Sequence, residues 1–519
     1  MNEYDVLHYD LNLAFDLQKK TFGGNVKIEF RATGFPNEIV LSASNLTLVI
    51  DSVFIDGKKT SFTHSEDYIV SKLPSPLDKG IHSLISVYYR GTSNFTGAFE
   101  DGGVYFSSSN RVATSSEPYF ARKWFPCKDI PSDKATAAIA ITVAESLKAV
   151  SNGILKKVEQ QDHHKTYYWE TSYPIATYLI SVAIAPYSEF SEEYTSIAEK
   201  KLKIFYYVFP EDSSKARTDF TNTTKILEFF EQTFGEYPFI NEKFGFAEVD
   251  GELTMENQTI PSIQQNMFTG DRRHELTLAH ETAHQWFGNM ITPVDWHHTW
   301  LNEGFATYAE ALYLEHRKGA EAYQQYIDNM MSMKNGAYAG SIIGKNDTVF
   351  WDSFAPRVYY KGAIVLHMLR NIMGDSMFFT SIRNYLNNPR LRYCNAQTED
   401  FIQDCEKVYG KSLSWFFNQW IYASADSVDR PALEYGWNIT KNESRYDLTL
   451  KINQTSAEKI LYKLPLTVTV KTSISVYDFT IVDSLTAQTF KFALNEKPET
   501  IEIDKENKVF KILMMKREN

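Results

Sequence analysis

The sequence predicts a multidomain α+β protein with an all-β N-terminal domain, a mainly helical middle domain and a C-terminal β-sandwich. Apolar and polar residues alternate from the start to about residue 190, and the same alternation returns after residue 431. Between these regions, apolar residues recur at the spacing of three and four that is typical of helices. A chain of 519 residues also suits several domains, at ~150 residues each. The predicted domains are 1–192, 193–428 and 429–519.

The N-terminal domain is predicted from period-two runs that are separated by Gly, Asn and Ser residues. These runs are residues 9–17, 26–30 and 139–143. The most apolar stretch, residues 175–185, lies between Pro174 and Pro186. It has eleven residues, whereas a membrane-spanning helix needs about 20, so we expect a buried strand here.

The middle domain is predicted from helical runs at 274–289, 302–317, 359–373 and 398–408, with a strand at 244–249 among them. The period-two pattern then returns and predicts the β-sandwich. Its clearest runs are residues 446–452, 466–470 and 490–494.

Composition excludes several classes of protein. Hydrophobic residues make up 43% of the chain, which argues against a largely disordered protein. A net charge of −12 disfavours a nucleic-acid or anionic-membrane partner, because both require a cationic face. Three cysteines exclude a framework of paired disulfides. The N-terminus has neither a basic start nor an apolar stretch, so we expect a cytoplasmic protein, or alternatively an exported one whose leader has been removed.

The strongest chemical signal is His280-Glu281-Thr282-Ala283-His284, inside the first long helical run. Residues four apart on a helix share a face, so both imidazoles should point to one position. Two such histidines with a neighbouring carboxylate suit zinc, with Glu281 as the general base. The alternative is an exposed helix that carries two unrelated histidines.

A catalytic zinc ion needs a third protein ligand and one open coordination position. A glycine- and proline-containing break follows His284, and a new helical run begins close to Glu303, after eighteen intervening residues. A connection of eighteen residues is long enough for the second helix to run antiparallel to the first and bring Glu303 close to the histidines. The sequence therefore predicts one Zn²⁺ held by His280, His284 and Glu303. Glu310 is predicted either to support that site or to be a solvated helix charge.

These residues resemble the signature of the aminopeptidase N family of gluzincin metallopeptidases, which includes leukotriene A hydrolase. The signature is His-Glu-x-x-His, eighteen residues, and then Glu303 within Trp-Leu-Asn-Glu-Gly-Phe-Ala. Three further segments resemble family motifs in the expected order: Phe125-Pro126-Cys127-Lys128-Asp129, Met255-Glu256-Asn257 and Val358-Tyr359-Tyr360-Lys361-Gly362-Ala363. Glu117 lies where the family's N-terminal domain supplies an amine-binding acid. The resemblance covers nearly the whole chain and implies a thermolysin-like catalytic domain.

The resemblance implies a zinc aminopeptidase that hydrolyses the N-terminal peptide bond of peptides with a free N-terminus. The zinc ion would hold a water, Glu281 would take its proton, and Tyr359 would stabilise the oxyanion. Glu256 and Glu117 would bind the free α-amine. The substrate-binding residues that the resemblance implies are Glu256, Glu117, Met255 and Asn257.

Two positions depart from the family pattern. Leu253 replaces the motif's glycine, and Ser115 replaces a usual glutamine, which leaves the shape of the first substrate pocket and the amine contacts open. We also expect a short form that lacks the helical C-terminal domain of many relatives.

Two other functions remain as alternatives. Epoxide hydrolysis is disfavoured, because the missing helical domain normally walls the lipid pocket. A catalytically silent scaffold is disfavoured, because the base and all three predicted ligands are present. The preferred N-terminal residue and the oligomeric state are left open.

Overall fold

The computed structural model describes residues 1–96, 101–334, 336–344, 354–423, 430–443, 445–455 and 460–516. The chain divides into two compact units, each built from two segments. The first unit comprises Met1–Trp296 and Leu386–Gln397, and the second comprises His297–Tyr385 and Thr398–Asn519. None of the helices in the described ranges has the length and hydrophobicity that a membrane crossing requires.

The first unit begins with an all-β region, as the alternating pattern predicts. Its strands are β1 (Tyr4–Asp16), β2 (Thr21–Ala32), β3 (Glu38–Ser42), β4 (Leu48–Ile55), β5 (Lys58–Thr60), β6 (Phe62–Ser65), β7 (Tyr68–Lys72), β8 (His82–Thr92), β9 (Gly103–Phe106), β10 (Val112–Ser115), β11 (Ala135–Ala144), β12 (Lys148–Ser151), β13 (Ile154–Gln161), β14 (His164–Ile175), β15 (Val182–Ala185) and β16 (Ser188–Thr195). Three sheets have the strand orders β13-β14-β11-β1-β2-β8-β4-β5, β12-β15-β10-β9 and β3-β7-β6. Buried side chains alternate along β1 and β2, because successive residues of a strand face opposite sides of the sheet.

Residues 175–185 do not form the single strand that their hydrophobicity predicts. β14 ends at Ile175, a 3₁₀ turn covers Thr177–Leu179, and β15 begins only at Val182. The whole stretch is buried, so the prediction of burial is confirmed and the prediction of one strand is wrong. The Asn152 side chain replaces strand pairing here: it accepts from the Ser181 N–H at 2.8 Å and donates to the Leu179 carbonyl at 2.9 Å.

A second part of the first unit combines a four-stranded sheet with three helices. The sheet order is β16, β17 (Lys201–Val208), β18 (Phe244–Val249) and β19 (Ser262–Gln264), and β17, β18 and β19 run parallel. The predicted strand at 244–249 is confirmed. The helices are α1 (Ser213–Asp219), α2 (Thr223–Phe234) and α3 (Glu275–Ala283), and the short β20 (Thr292–Pro293) pairs with β21 (Asn395–Ala396). The predicted domain boundary at 192/193 lies inside β16, and the boundary at 428/429 lies outside the described residues.

α3 is shorter than the helix predicted over 274–289, which was wrong at its C-terminal end. After Ala283 the chain continues in a wider turn, in which the N–H groups of Asn289 and Met290 reach carbonyls five residues earlier, at 3.0 and 3.2 Å. Gly288 has a φ of 114°, which an α-helix does not contain. This glycine therefore changes the course of the chain while keeping the backbone hydrogen-bonded.

Helices dominate the next part of the chain. They are α4 (Trp300–Lys318), α5 (Ala320–Met331), α6 (Gly362–Met373), α7 (Asp375–Asn387), α8 (Thr398–Tyr409) and α9 (Ser414–Phe417), with π-helical turns at Arg357–Lys361 and Asn418–Tyr422. The predictions at 302–317 and 398–408 agree with α4 and α8 to within two residues. The prediction at 359–373 missed the π-helical turn that precedes α6.

The second unit ends in two sheets, as the returning alternation predicts. Their strands are β22 (Ala432–Asn442), β23 (Arg445–Gln454), β24 (Leu464–Thr472), β25 (Val476–Asp483), β26 (Ala487–Leu494), β27 (Pro498–Ile503) and β28 (Ile512–Met515), in the orders β26-β23-β22-β28 and β25-β24-β27. Leu448, Leu450 and Ile452 of β23 are fully buried. The Phe479 and Phe492 rings, one from each sheet, pack with their centroids 4.4 Å apart.

Candidate metal centre

Two histidines face one another at the C-terminal end of α3. His280 lies in the last turn of the helix, and His284 follows its final residue. Their Nε2 atoms are 3.0 Å apart, and Nδ1 of His284 lies 3.0 Å from the carbonyl oxygen of Phe287. Because a carbonyl only accepts hydrogen bonds, Nδ1 of His284 is assigned the proton, and the lone pair of its Nε2 is left available.

The distance between these two imidazole nitrogens suits a zinc ion. Zinc takes imidazole nitrogens at about 2.0–2.1 Å, so one ion can lie within bonding distance of two nitrogens that are 3.0 Å apart. The backbone hydrogen bond on the far ring nitrogen of His284 is the usual support of a metal-binding histidine, because it fixes both the tautomer and the ring orientation.

Acidic side chains of the first unit form a cluster that reaches His284. Oxygens of Glu256 and Glu281 and a nitrogen of His284 lie within 4.8 Å of one another, and oxygens of Glu117 and Glu256 are equally close. Glu256 and Glu281 are 3% and 6% exposed, and Glu117 is half-buried. Two carboxylates that lie within 4.8 Å repel by about 3 kcal/mol or more at an effective dielectric constant of about 20. The cluster therefore favours a bound cation or ammonium group.

The loop that carries Glu256 is held by its own backbone and side chains. Met255 and Ser262 exchange two backbone hydrogen bonds, at 3.1 and 2.8 Å. The side-chain amide of the buried Asn257 donates to Oγ of Ser262 at 2.9 Å. The polar groups of Asn257 thus fix the loop around the predicted amine-binding acid.

The turn after His284 also holds this loop, which the sequence did not predict. Asn289 and Gln285 donate to the Glu256 carbonyl oxygen at 2.7 and 3.4 Å. The Lys134 ammonium donates to the Asn289 carbonyl at 2.8 Å, and burial lowers the pKa of Lys134 to about 7. From the sequence, Asn289 indicated only a helix break, because its partner lies 33 residues away.

Glu303 and Tyr359 both belong to the second unit, where two neighbouring elements carry them. Glu303 is buried in the first turn of α4, and Tyr359 is half-buried in the π-helical turn Arg357–Lys361. The elements meet at two glycines: a Cβ on Gly362 would lie 3.0 Å from the Cα of Gly304. Ordinary carbon–carbon contacts are about 3.5–4.0 Å, so larger residues here would push the Tyr359 turn away from α4.

The structure also places three other residues that the sequence analysis discussed, Glu310, Leu253 and Ser115. Glu310, half-buried on α4, accepts a hydrogen bond from the Tyr326 hydroxyl of α5 at 2.9 Å. Leu253 and Ser115, the two departures from the family pattern, are both buried in the first unit.

Two family sequence profiles match the chain. The profile of the peptidase family M1 domain matches residues 218–420, and that of the peptidase M1 N-terminal domain matches residues 6–179. Similar curated proteins include the probable aminopeptidase 2 of Sulfurisphaera tokodaii (26% identical over 487 residues, 89% of this chain and 58% of the relative). The mitochondrial aminopeptidase 2 of Saccharomyces cerevisiae is 26% identical over 537 residues, 96% of this chain and 53% of the relative. The chain thus spans a little over half the length of these relatives.

Solved structures show the same fold. An M1 zinc metallopeptidase of Deinococcus radiodurans superposes with a TM-score of 0.70 at 23% identity, over 82% of this chain and 95% of that one. A further structure of that peptidase holds a Tyr-Ser-Ala substrate. Aminopeptidase A of Legionella pneumophila, in complex with aspartic acid, gives a TM-score of 0.85 at 19% identity, over 100% of this chain and 60% of that one.

Proposed function

The chain belongs to peptidase family M1, and on that premise we propose that it is a zinc aminopeptidase, which removes the N-terminal residue from peptides with a free α-amine. One observation carries the proposal. The facing imidazole nitrogens of His280 and His284 lie in the first unit together with the buried carboxylates of Glu281 and Glu256. A metal ligand pair, a base and an amine-binding acid are the parts that such a reaction requires.

One zinc ion would be held by His280 and His284, with Glu303 of the second unit as the third ligand. The facing nitrogens of the two histidines and the burial of Glu303 in the first turn of α4 support this assignment. A bound zinc ion supplies Lewis acidity, which makes water more acidic and polarises a peptide carbonyl.

Glu281 would act as the general base. Its carboxylate takes a proton from the attacking water and then delivers a proton to the nitrogen of the leaving amine. The residue directly follows His280 on α3 and is buried, so its carboxylate lies beside the proposed ligands and is shielded from bulk water.

Tyr359 would donate its hydroxyl hydrogen bond to the developing oxyanion. A preorganised donor of this kind contributes about 3 kcal/mol to lowering the barrier. The close contact of Gly304 with Gly362 supports this role, because it holds the turn that carries Tyr359 against α4, the helix whose first turn carries Glu303.

Glu256 and Glu117 would bind the substrate's α-ammonium and so restrict cleavage to the first peptide bond. An ammonium group relieves the repulsion between two carboxylates that lie within 4.8 Å of each other. A substrate with a blocked amine leaves that repulsion in place and loses a charged partner, at a cost of about 2–5 kcal/mol.

The test is an assay of the purified protein on aminoacyl-fluorophore amides and on their N-acetylated counterparts. We expect hydrolysis of the free-amine substrates, loss of activity with a chelator, and recovery with zinc. The acetylated substrates should be cleaved more slowly by a factor of roughly 30 to several thousand. Chelator-resistant hydrolysis, or equal rates on both substrates, would contradict the proposal. Hydrolysis of an epoxide alone would favour the alternative enzymatic function.

A further inference from the structure

Asn289 joins the two parts of the proposed site within the first unit. Its backbone N–H donates to the carbonyl of His284 at 3.0 Å, five residues earlier. Its side-chain Nδ2 donates to the carbonyl of Glu256 at 2.7 Å. One residue thus links the backbone of a proposed metal ligand with the backbone of the proposed amine-binding acid.

Burial and a second hydrogen bond also hold Asn289 in place. Its side chain is fully buried, and its carbonyl oxygen accepts a hydrogen bond from the Lys134 ammonium at 2.8 Å. Gly288, with a φ of 114°, turns the chain so that Asn289 follows outside the α-helix. Contacts outside the Glu256 loop therefore help to hold Asn289 in place.

Gln285 is a weaker partner of the same carbonyl. Its Nε2 lies 3.4 Å from the Glu256 oxygen, at the long limit for a hydrogen bond, whereas Nδ2 of Asn289 lies at 2.7 Å. The Gln285 side chain has another task, since its Oε1 accepts from the Thr259 N–H at 2.9 Å. The hydrogen bond from Asn289 to the Glu256 carbonyl is thus shorter than the one from Gln285.

We propose that Asn289 is a positioning residue that sets the distance between the metal ligand His284 and the amine-binding Glu256. This inference rests on the proposed function, in which Glu256 binds the α-ammonium. A fixed spacing between the two groups determines which peptide bond reaches the metal, so Asn289 helps to restrict cleavage to the first bond. In this role Asn289 acts through the Glu256 backbone, to which its side chain donates a hydrogen bond.

The test compares Asn289→Ala with wild type on matched free-amine and N-acetylated substrates. We expect the variant to retain its zinc and to lose about 5- to 100-fold in kcat/KM on the free-amine substrate, the factor that corresponds to leaving one buried acceptor without its hydrogen bond. The loss should appear mainly in KM, and the acetylated substrate should lose much less, so the ratio between the two should fall. Asn289→Ser, which keeps a shorter hydroxyl donor, should fall between Asn289→Ala and wild type and covers the case in which the alanine variant does not fold.

A double-mutant cycle separates this role from a merely structural one. In a Glu256→Gln background, Asn289→Ala should change the substrate ratio little further, because both act through the same group. The matched control is Gln454→Ala, which removes a buried amide-to-carbonyl hydrogen bond of 2.8 Å from the C-terminal sheets and should leave the ratio unchanged.

The outcomes distinguish the inference from the proposed function. Wild type that cleaves both substrates equally would overturn the proposed function and this inference with it. Wild type that discriminates, with Asn289→Ala slowing both substrates by the same factor, would overturn the inference alone. A full additional effect of Asn289→Ala in the Glu256→Gln background would also overturn it.

Discussion

Alanine at Gly362 should slow catalysis more than it destabilises the fold. A Cβ at this position would lie 3.0 Å from the Cα of Gly304 and 3.9 Å from the Cβ of Trp300, both on α4. The contact with Gly304 must open by about 0.5–1 Å to reach an ordinary carbon–carbon distance. Because Gly362 begins α6 directly after the π-helical turn, this movement displaces the turn and with it Tyr359.

The magnitudes indicate which effect dominates. Alanine is a better helix former than glycine by about 1 kcal/mol. Forcing extra atoms into a close contact costs about 1–3 kcal/mol. The net loss in the free energy of unfolding should therefore be about 0–2 kcal/mol. A catalytic group that moves by about 1 Å can lose roughly 100-fold in rate, so we expect kcat to fall about 10- to 100-fold.

The measurement is kcat and KM on a free-amine substrate, together with zinc content and chemical unfolding. We expect KM to stay close to wild type, because Glu256 belongs to the other unit. Zinc content should also be retained, because we expect the short π-helical turn to move rather than the long helix α4, which carries the proposed ligand Glu303. The control is Gly436→Ala on β22, where the added Cβ would meet its nearest neighbour at an ordinary 3.8 Å. This control should leave kcat unchanged.

The rate loss of Gly362→Ala has an upper limit. It should not exceed the loss in Tyr359→Phe, which removes the proposed hydroxyl donor altogether. A Gly362→Ala variant with the expected loss of stability and wild-type kcat would refute the reasoning, because the contact would then not determine where Tyr359 lies. A loss of zinc would refute it too.

Three further predictions concern other parts of the chain. Glu281→Gln should retain zinc and lose at least about 100-fold in kcat, since the general base is gone. Measurements of zinc content and of kcat test this prediction, and a fully active variant would exclude Glu281 as the base. Burial lowers the pKa of His367 from 6.5 to about 4, so the unfolded chain takes up a proton between these values that the folded protein does not. The free energy of unfolding should therefore fall by about 3 kcal/mol between pH 6.5 and pH 4. Denaturant unfolding of His367→Gln at several pH values should show a smaller fall, and parallel curves for the variant and wild type would contradict this prediction. Leu450→Ala should cost about 2–5 kcal/mol of unfolding free energy, because this side chain is fully buried between the C-terminal sheets; a loss under 1 kcal/mol would argue against a packed core there.

Much of the fold could be predicted because its signals are local. Leu448, Leu450 and Ile452 alternate with polar residues and are buried on one face of β23, as a strand requires. The early end of α3 escaped prediction, because apolar residues continue at helical spacing while Gly288 turns the backbone away. The split of residues 175–185 escaped for a related reason: the Asn152 side chain that replaces strand pairing comes from another part of the chain. Location in the cytoplasm stays a prediction.

The sequence by itself determined which residues could share a site. The spacing of four that brings His280 and His284 to one face is a property of the helix and needs no knowledge of its surroundings. Only the tertiary structure decided what holds the site together. The hydrogen bond from Asn289 to Glu256 and the contact of Gly304 with Gly362 join segments that are distant in sequence. Such contacts depend on how whole sheets and helices pack, which is the sum of many weak interactions, and no local period in the sequence records them.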